Sequence, residues 1–473
     1  MLTLAVVLEA LTGQKVAGAG QVITDAAIDS RLVIPGALFI ALPGERVDGH
    51  DFVQDAFRRG ASVALVERDL PPGAQVLDLR RPFTGLDGLD LEEPLCLQVE
   101  KSLAALQKVA GHWRSQLPVR VIGVTGSVGK STTKELTADV LDVRYRTVKN
   151  PGNLNNEIGL PLSLLRLTES HERAVLEMGF YVPGEIAFLC GLARPQIGVI
   201  TNVSQAHMER AGSLEAIAAG KAELVENLPA GPDGVAVLNY DEPIVRAMAE
   251  KTKALVFYYG LAPEADLWAS EVEGLGLEGI RFVLHYKGDH VHLRVPLLGR
   301  HSVHTVLRAT AVGLIEGLTW EEIVSGLQNS QTQLRLVAVQ GPKGSLLLDD
   351  TYNAAPASMI AALNLLAELD GRHVAVLGDM LELGEYEERG HRMVGVRAAE
   401  VADELVTVGE RARWIADEAS QAGLPASHVF QQADAAGAIE FLRRTIQEGD
   451  VVLVKGSHGM HMDQIVTDLE ENA

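Results

Sequence analysis

A glycine-rich segment at 121–132 has the residue types and the spacing of a phosphate-binding loop. An apolar stretch rich in β-branched residues leads into it, and Leu136, Val140 and Leu141 follow it at helical spacing. A strand, a glycine loop and a helix in this order place backbone N–H groups around a phosphate. We therefore predict nucleotide contacts from Thr125, Gly126, Ser127, Val128, Gly129, Lys130, Ser131 and Thr132.

Two side chains of this loop are suited to the chemistry of ATP. Lys130 would reach the β- and γ-phosphates, and the Ser131 hydroxyl would coordinate Mg²⁺. The usual motif has a glycine where this chain has Val124, so the segment is a shorter variant. A glycine turn in a dinucleotide-type crossover is the alternative, but lysine, serine and threonine in register favour an ATP site.

Further polar residues follow apolar segments of the middle region. Glu177 comes directly after the segment 174–176, and His207 lies shortly after the segment 197–200. A carboxylate and an imidazole beside a nucleotide would suit a second divalent cation, with the carboxylate as the surer ligand. For His207 alone, a hydrogen-bonded structural histidine is the alternative.

Asparagines and a lysine are further candidates. The segment 150–156 combines a Pro-Gly turn with asparagines, so Asn153, Asn155 and Asn156 would offer side-chain amides to a polar substrate. A plain loop is the alternative. Lys221 lies in a helical stretch at 214–228 and by itself would be a solvated lysine.

Two strand ends near the C-terminus also carry polar groups. Asp349, Asp350, Tyr352 and Asn353 follow one apolar segment, and one of the carboxylates would hold ribose hydroxyls. An Asx-type turn leaving the strand is the alternative. The segment that begins at Lys455 would hold an anion or form a plain turn.

The elements that must position these residues alternate along the chain. Apolar segments separated by helical patterns predict parallel strands covered on both faces, and ligands bind outside the carboxyl ends of such strands. The stretch 255–297 alternates differently, which predicts an antiparallel excursion, and the stretch 69–93 predicts a loop. The main predicted strands are 61–66, 174–176, 197–200, 235–238, 346–348, 374–377, 405–408 and 451–454.

The length of 473 residues suggests about three domains. We expect an α/β protein with a small N-terminal α/β domain at 1–96 and a central domain at 97–327. The central domain would hold a P-loop-type doubly wound sheet. A C-terminal Rossmann-like parallel sheet would occupy 328–473.

Composition limits the partners and the compartment. A net charge of −22 argues against nucleic acid and against an anionic membrane surface. Cys96 and Cys190 are too few for a disulfide framework, and Glu9 interrupts the apolar N-terminus. Because no apolar stretch reaches 18 residues, we expect a cytoplasmic protein without membrane insertion, and we expect a monomer.

Taken together and in order, these motifs resemble the Mur ligase family of peptidoglycan synthesis over nearly the whole chain. The resemblance rests on a series of motifs, among them the phosphate loop that begins at Thr125 and the segment around Asp379. Within the family, the C-terminal motifs are similar to the member that adds D-alanyl-D-alanine, and the Asp-Asn-Pro-Arg signature of the sister enzyme is absent. The other motifs lie at 29–31, 35–50, 152–161, 177–186, 202–207, 335 and 349–353.

The resemblance implies an ATP-dependent ligase whose substrates are UDP-N-acetylmuramoyl-tripeptide and D-alanyl-D-alanine, with ATP and Mg²⁺ as cofactors. It implies that Lys221 is carbamylated. It also implies that the catalytic residues are Lys130, Lys221, His207 and Arg335. Ser131, Glu177 and His207 would be metal ligands, and Arg335 and Asp350 would contact the γ-phosphate and the ribose. The implied substrate-binding residues are Ser30, Arg31, His50, Asn153, Asn155, Asn156, Asp350, Tyr352, Asn353 and Asp379.

Two departures from the family pattern concern the nucleotide. Ser302 and Thr305 replace asparagines that the family associates with it, and His458 replaces an arginine. A ligase of the same fold with another acceptor is one alternative, and Ser30, Arg31 and His50 speak against it. A nucleotide-binding protein that has lost ligation is the other. Release of ADP that requires both substrates would separate these alternatives from the implied ligase.

Overall fold

The computed structural model describes residues 1–44, 47–69, 74–205, 208–329 and 337–470. Within these residues the strands form three sheets of five, nine and six strands. The chain divides into two compact units: residues 1–123, 145–179 and 184–196 form the first, and residues 124–144, 180–183 and 197–473 form the second. The predicted α/β class is therefore confirmed. The domain boundaries near residues 96 and 327 stay predictions.

The first sheet has five parallel strands in the order β1-β2-β3-β5-β4. The prediction that 69–93 is a loop was wrong, because β4 lies inside this stretch. This strand is at the edge of the sheet and only partly buried, so it lacks the apolar run of a central strand. The elements are α1 Leu4–Thr12, β1 Ala26–Ala27, β2 Leu38–Ile40, α2 Val53–Arg58, β3 Val63–Val66, β4 Gln75–Asp78 and β5 Leu95–Gln98.

The second sheet follows the order β14-β13-β12-β11-β10-β9-β6-β8-β7. Strands β9 to β12 pair in parallel, whereas β12, β13 and β14 pair antiparallel. The antiparallel excursion predicted for 255–297 is therefore confirmed for the part from β12 onward and was wrong for β11, which pairs in parallel with both of its neighbours. Its strands are β6 Arg120–Thr125, β7 Thr147–Lys149, β8 Arg173–Glu177, β9 Ile197–Ile200, β10 Val235–Asn239, β11 Leu255–Gly260, β12 Leu267–Gly274, β13 Ile280–Tyr286 and β14 Asp289–Val295. The helices of this region are α3 Ser102–Ser115, α4 Lys130–Asp142, α5 Gly159–Leu165, α6 Glu185–Ala193, α7 Met208–Ala211, α8 Leu214–Glu226, α9 Pro243–Arg246, α10 Val303–Ile315 and α11 Trp320–Asn329.

The third sheet has the order β15-β16-β20-β17-β18-β19 and is parallel except for the pair β15 and β16. Its strands are β15 Val337–Gln340, β16 Leu346–Asp350, β17 Arg372–Gly378, β18 Glu404–Val408, β19 Val429–Gln432 and β20 Asp450–Lys455. Its helices are α12 Pro356–Leu366, α13 Glu387–Val401, α14 Arg413–Gln421, α15 Ala435–Thr445 and α16 Asp463–Leu469.

Alternate residues of the third sheet lie in two hydrophobic cores, one on each face. Leu348 and Leu453 belong to one core, and Leu347 and Val452 belong to the other. Because both faces are covered, these strands are apolar without alternation, which is why the sequence indicates them clearly. The predicted strands at 346–348, 374–377, 405–408 and 451–454 are confirmed.

Among the residues that the structure describes, no helix combines the length and the apolar character needed to span a membrane. Cys96 and Cys190 are both buried and unbridged.

Candidate functional site

The phosphate loop connects β6 to α4, and two of its glycines have backbone conformations that exclude other residues. Gly126 has φ 145° and Gly129 has φ 81°. A Cβ on Gly126 would lie 1.8 Å from Oγ1 of Thr201, so no side chain fits there. The loop backbone can therefore approach a phosphate closely at the N-terminus of α4.

Asn202, which follows β9, holds the loop in place through three hydrogen bonds. Its Oδ1 accepts from the Val128 N–H at 2.9 Å, and its Nδ2 donates to the Val128 carbonyl at 3.0 Å. Its own carbonyl accepts from the Ser127 N–H at 3.0 Å. Thr201 adds a bond from Oγ1 to the Val128 carbonyl at 2.7 Å. The hydrogen bonds from Thr201 and Asn202 therefore fix the conformation of the loop.

The ammonium group of Lys130 lies over this loop. Its Nζ donates to the carbonyls of Gly126 at 3.0 Å and Ser127 at 3.2 Å. The charge is thereby kept beside the loop, where the β- and γ-phosphates of a nucleotide would lie.

Lys221, on α8, is only 1% exposed. Its Nζ lies 5.0 Å from the centre of the Phe180 ring, and among the described residues it forms no ion pair. Burial, with a smaller contribution from the charge of Lys130, lowers the pKa of Lys221 well below its ordinary value. The prediction of a solvated helix lysine was therefore wrong: the side chain is enclosed, and its amine is held toward the neutral form.

Glu177 ends β8 and is 2% exposed. Its Oε1 accepts from Nδ2 of Asn155 at 2.8 Å, and its backbone N–H and carbonyl both bond to the Asn150 amide. Asn156 accepts from the N–H of Gly159 at 2.8 Å and so caps α5. Asn153 is exposed. Of these asparagines, Asn155 contacts the predicted metal ligand, and Asn156 shapes the loop.

The N-terminal residues predicted to bind the UDP-sugar have local partners. Arg31 forms a bidentate pair with Asp29, with Nη2 to Oδ2 at 2.6 Å, and hydrogen bonds from Arg31 lower the pKa of Asp29 to about 2. His50 is buried, with Nδ1 at 2.6 Å from Oδ1 of Asp48 and Nε2 accepting from the Glu67 N–H at 2.8 Å. Ser30 is also buried. In this arrangement His50 fixes the loop around it, and Arg31 is the exposed group.

The third sheet brings polar residues together at the carboxyl ends of β16, β17 and β20. Oδ2 of Asp350 lies 2.7 Å from Nζ of Lys455, which also donates to the Asn353 carbonyl at 2.8 Å. Asp349 accepts from the Thr351 N–H at 3.0 Å, which is the Asx-type turn offered as the alternative. Lys455 is therefore neutralised by a carboxylate and two neighbouring carbonyls.

Asp379 follows β17 and is 3% exposed. Its Oδ1 accepts from the Ala412 N–H at 2.7 Å, and its carbonyl accepts from the Ser457 N–H at 3.0 Å. Tyr352 is exposed, with its ring 6.1 Å from that of His458. Asp379 thus bonds to the loops that follow β18 and β20. Tyr352 is exposed to solvent at the same edge of the sheet.

The segment that departs from the family pattern lies at the start of α10. The Ser302 hydroxyl donates to the Leu298 carbonyl at 2.6 Å, and Thr305 is buried. Burial lowers the pKa of His304, next in the chain to Thr305, to about 4, so this imidazole is neutral at neutral pH. Its Nδ1 is buried without a hydrogen-bond partner among the described residues.

Two predicted residues, His207 and Arg335, lie outside the described residues. Among the residues that are described, no cluster of three or more His, Cys, Asp or Glu side chains could hold a metal ion. Glu177 and Ser131 each offer oxygen atoms, the ligands that Mg²⁺ prefers, so the donor chemistry of each residue fits that ion.

Comparisons with known proteins decide the family. Residues 22–77 match the model described as "Mur ligase family, catalytic domain", residues 124–313 match "Mur ligase middle domain", and residues 334–458 match "Mur ligase, glutamate ligase domain". The UDP-N-acetylmuramoyl-tripeptide–D-alanyl-D-alanine ligase of Bacillus subtilis is 37% identical over 456 residues, covering 95% of this chain and 94% of the relative. The chain belongs to the Mur ligase family.

Solved structures of Mur ligases agree with this assignment. A crystal structure of MurF from Acinetobacter baumannii has a TM-score of 0.83 at 31% identity and covers 98% of both chains. MurF from Thermotoga maritima in complex with ADP has a TM-score of 0.79 at 26% identity, again with 98% of both chains covered.

Sequence reasoning on this Mur ligase missed the residues that support the loop and Lys221. Asn202, Phe180 and Arg308 act through contacts with segments far away in the chain. The one available signal was the position of Asn202 directly after a predicted strand, where side chains meet at the sheet edge.

Proposed function

We propose that this Mur ligase joins D-alanyl-D-alanine to UDP-N-acetylmuramoyl-tripeptide at the expense of ATP, a step in the synthesis of the peptidoglycan precursor. The observation that carries the proposal is a relative named for this reaction that aligns over 95% of the chain. The preformed phosphate loop with Lys130 above it supports the use of ATP. Because ATP and nucleotide-linked sugars are cytoplasmic metabolites, we propose that the enzyme acts in the cytoplasm. We also propose that it is a monomer.

The reaction needs ATP because a carboxylate oxygen does not leave. The terminal carboxylate of the tripeptide attacks the γ-phosphorus in line, the bond to the β-phosphate oxygen breaks, and ADP leaves. The amine of D-alanyl-D-alanine then attacks the acyl phosphate, loses a proton, and expels inorganic phosphate as the amide forms. The protein contributes positioning and charge neutralisation.

Each part of this machinery has a proposed residue. The loop N–H groups and Lys130 would hold the β- and γ-phosphates, and Arg335 would contact the γ-phosphate. Asp350 would hold the ribose, and Ser30, Arg31 and His50 would belong to the UDP-sugar site. The asparagines Asn153, Asn155 and Asn156, with Tyr352, Asn353 and Asp379, would bind the peptide substrates.

Two Mg²⁺ sites are part of the proposal. Ser131 would provide a ligand for one ion, and Glu177 and His207 would provide ligands for the other. When bound, Mg²⁺ neutralises charge on the phosphate oxygens. The carboxylate of Glu177 supports this role, because Mg²⁺ prefers oxygen ligands and this group is positioned by a hydrogen bond from Asn155.

Lys221 is proposed to be carbamylated. Its neutral amine would add CO₂ to give a carbamate and release a proton, which converts a basic side chain into an anion. Its burial and lowered pKa support this step, since only the neutral amine is a nucleophile.

The test is the release of ADP by the purified protein with each substrate alone and with both. We expect release only when UDP-N-acetylmuramoyl-tripeptide and D-alanyl-D-alanine are both present, and we expect Lys130→Ala to abolish it while the fold is retained. Release without either substrate, or with another acceptor only, would favour a different ligase. Near-normal product formation by folded Lys130→Ala would contradict the proposal.

A further inference from the structure

Arg308, on α10, is a buried cation beside the phosphate loop. The side chain is 4% exposed. Its Nε donates to the Tyr259 hydroxyl at 2.7 Å, its Nη1 to Oγ1 of Thr133 at 3.0 Å, and its Nη2 to the Thr201 carbonyl at 3.2 Å. A Cβ on Gly129 would lie 3.5 Å from Nη1, which places the guanidinium next to the loop backbone.

The groups that Arg308 contacts are those that shape the loop. Thr133 lies in the first turn of α4, and its N–H donates to the Gly129 carbonyl at 3.0 Å. Thr201 holds the Val128 carbonyl through Oγ1. One guanidinium thus connects the start of α4 with the end of β9, on either side of the loop.

The protein around Arg308 balances its charge only in part. Burial raises the pKa of the nearby Glu242, and the charge of Arg308 acts against that rise. Among the described residues, however, Arg308 forms no ion pair, and all three of its acceptors are neutral oxygens. Its guanidinium group also lies beside the N-terminal turn of α4, where the helix dipole is already positive. A buried guanidinium without a direct ion pair is costly, and a second positive potential at the same place adds to the cost.

We propose that Arg308 is a positioning residue of the phosphate loop whose buried charge is balanced by the polyphosphate of the bound nucleotide. The proposal rests on ATP binding at this loop. The guanidinium holds Thr133 and Thr201, and through them the loop, and its charge adds to the potential that attracts phosphate. The contribution of Arg308 to nucleotide affinity must therefore increase with the number of phosphates on the ligand.

The test compares Arg308→Met, which keeps the length of the side chain but removes the charge, with the wild type. We expect the Kd for ATP to rise at least tenfold, the Kd for ADP to rise less, and the Kd for AMP to change least. In steady state the KM for ATP should rise at least tenfold with little change in kcat. The thermal midpoint without nucleotide should stay equal or increase, and Arg308→Lys should recover part of the affinity.

Arg144→Met is the matched control, because it removes one positive charge from the same unit. Arg144 follows the far end of α4, a helix about 20 Å long, and bonds to the Gly317 carbonyl and Glu322. The affinities of Arg144→Met for ATP, ADP and AMP should equal those of the wild type. If Arg308→Met does not fold, Thr133→Val removes the acceptor of Nη1 and should give the same order of losses.

The outcomes separate this inference from the proposed function. If the wild type binds ATP and Lys130→Ala weakens it, but Arg308→Met and Thr133→Val bind all three nucleotides normally, Arg308 has only a structural role. Equal losses for ATP, ADP and AMP would also overturn the charge argument. If the wild type binds no ATP, the proposed function itself fails.

Discussion

Lys455 and Lys221, two of the buried lysines in the second compact unit, have opposite surroundings. Lys455 is 2% exposed and meets Asp350 at 2.7 Å together with backbone carbonyls. Lys221 is 1% exposed and faces the Phe180 ring, without an ion pair among the residues that are described. The first is paired with a carboxylate, whereas burial lowers the pKa of the second well below its ordinary value.

If Lys221 is carbamylated as proposed, this difference separates a structural lysine from a reactive one. Burial alone does not decide the role, because both side chains are equally inaccessible. The partner decides it: a carboxylate preserves the ammonium form, and an aromatic ring with a nearby second cation does not. A buried lysine without an ion pair is unusual, and groups with strongly shifted pKa values gather at functional sites.

The largest expected effect is the loss of activity in Lys221→Met. If the carbamate anion is needed, ligation should fall by about a hundredfold to a thousandfold, the range seen when one electrostatic contact to a reacting centre is removed. With ¹³C-labelled bicarbonate, NMR should detect a carbamate in the wild type and in Lys455→Met, but not in Lys221→Met. A variant that retains more than a tenth of the activity would contradict the role of Lys221.

The second effect is on stability, in Lys455→Met. The substitution removes the ion pair between Lys455 and Asp350, so the free energy of unfolding should decrease by about 3 kcal/mol. Denaturant titration measures this change, and Lys221→Met should not show it. Adding Asp350→Leu to Lys455→Met should recover most of the loss; if the double variant is no more stable than the single one, the ion pair is not the cause.

The third effect is a pH dependence. Because folding lowers the pKa of Lys221, there is a pH range below the ordinary pKa of lysine in which the unfolded chain binds a proton that the native state lacks. In CO₂-free buffer, wild-type stability should therefore rise with pH relative to Lys221→Met, by at most about 1.4 kcal/mol per pH unit. Parallel curves for the two proteins would mean that the native amine keeps its ordinary pKa.

The smallest effect concerns the ring beside Lys221. A Cβ on Gly220 would lie 1.9 Å from Cε2 of Phe180, so Gly220→Ala should displace the ring and cost about 1 kcal/mol. Gly191 on α6 has open space around its Cβ position and is the control: Gly191→Ala should stabilise the protein slightly. Urea unfolding compares the two, and equal stabilisation by both would show that the ring is free to move.

The sequence was most informative where a residue type suffices for its role. The phosphate loop could be predicted because glycine, lysine and serine at fixed spacing have few other uses. Central strands could be predicted because both of their faces are buried, whereas β4, an edge strand with polar residues, could not. Asx-turn chemistry at Asp349 was correctly offered as an alternative to ligand binding.

What could not be predicted depends on contacts between distant segments. Lys221 looks like an ordinary helix lysine until Phe180 covers it, and the pairing of Asp350 with Lys455 is not visible from either segment alone. The bond from the Glu67 N–H to the His50 ring likewise joins two separate segments. These environments are set by packing, which a local pattern of residues does not encode.

The three hydrogen bonds between Asn202 and the phosphate loop have a consequence for the rate of nucleotide association. A loop that is already in its binding conformation does not have to wait for a rare rearrangement before the nucleotide can enter. Encounters with ATP should therefore be productive at a high frequency. If Asn202 were replaced by alanine, association would slow to the pace at which the loop finds its shape unaided.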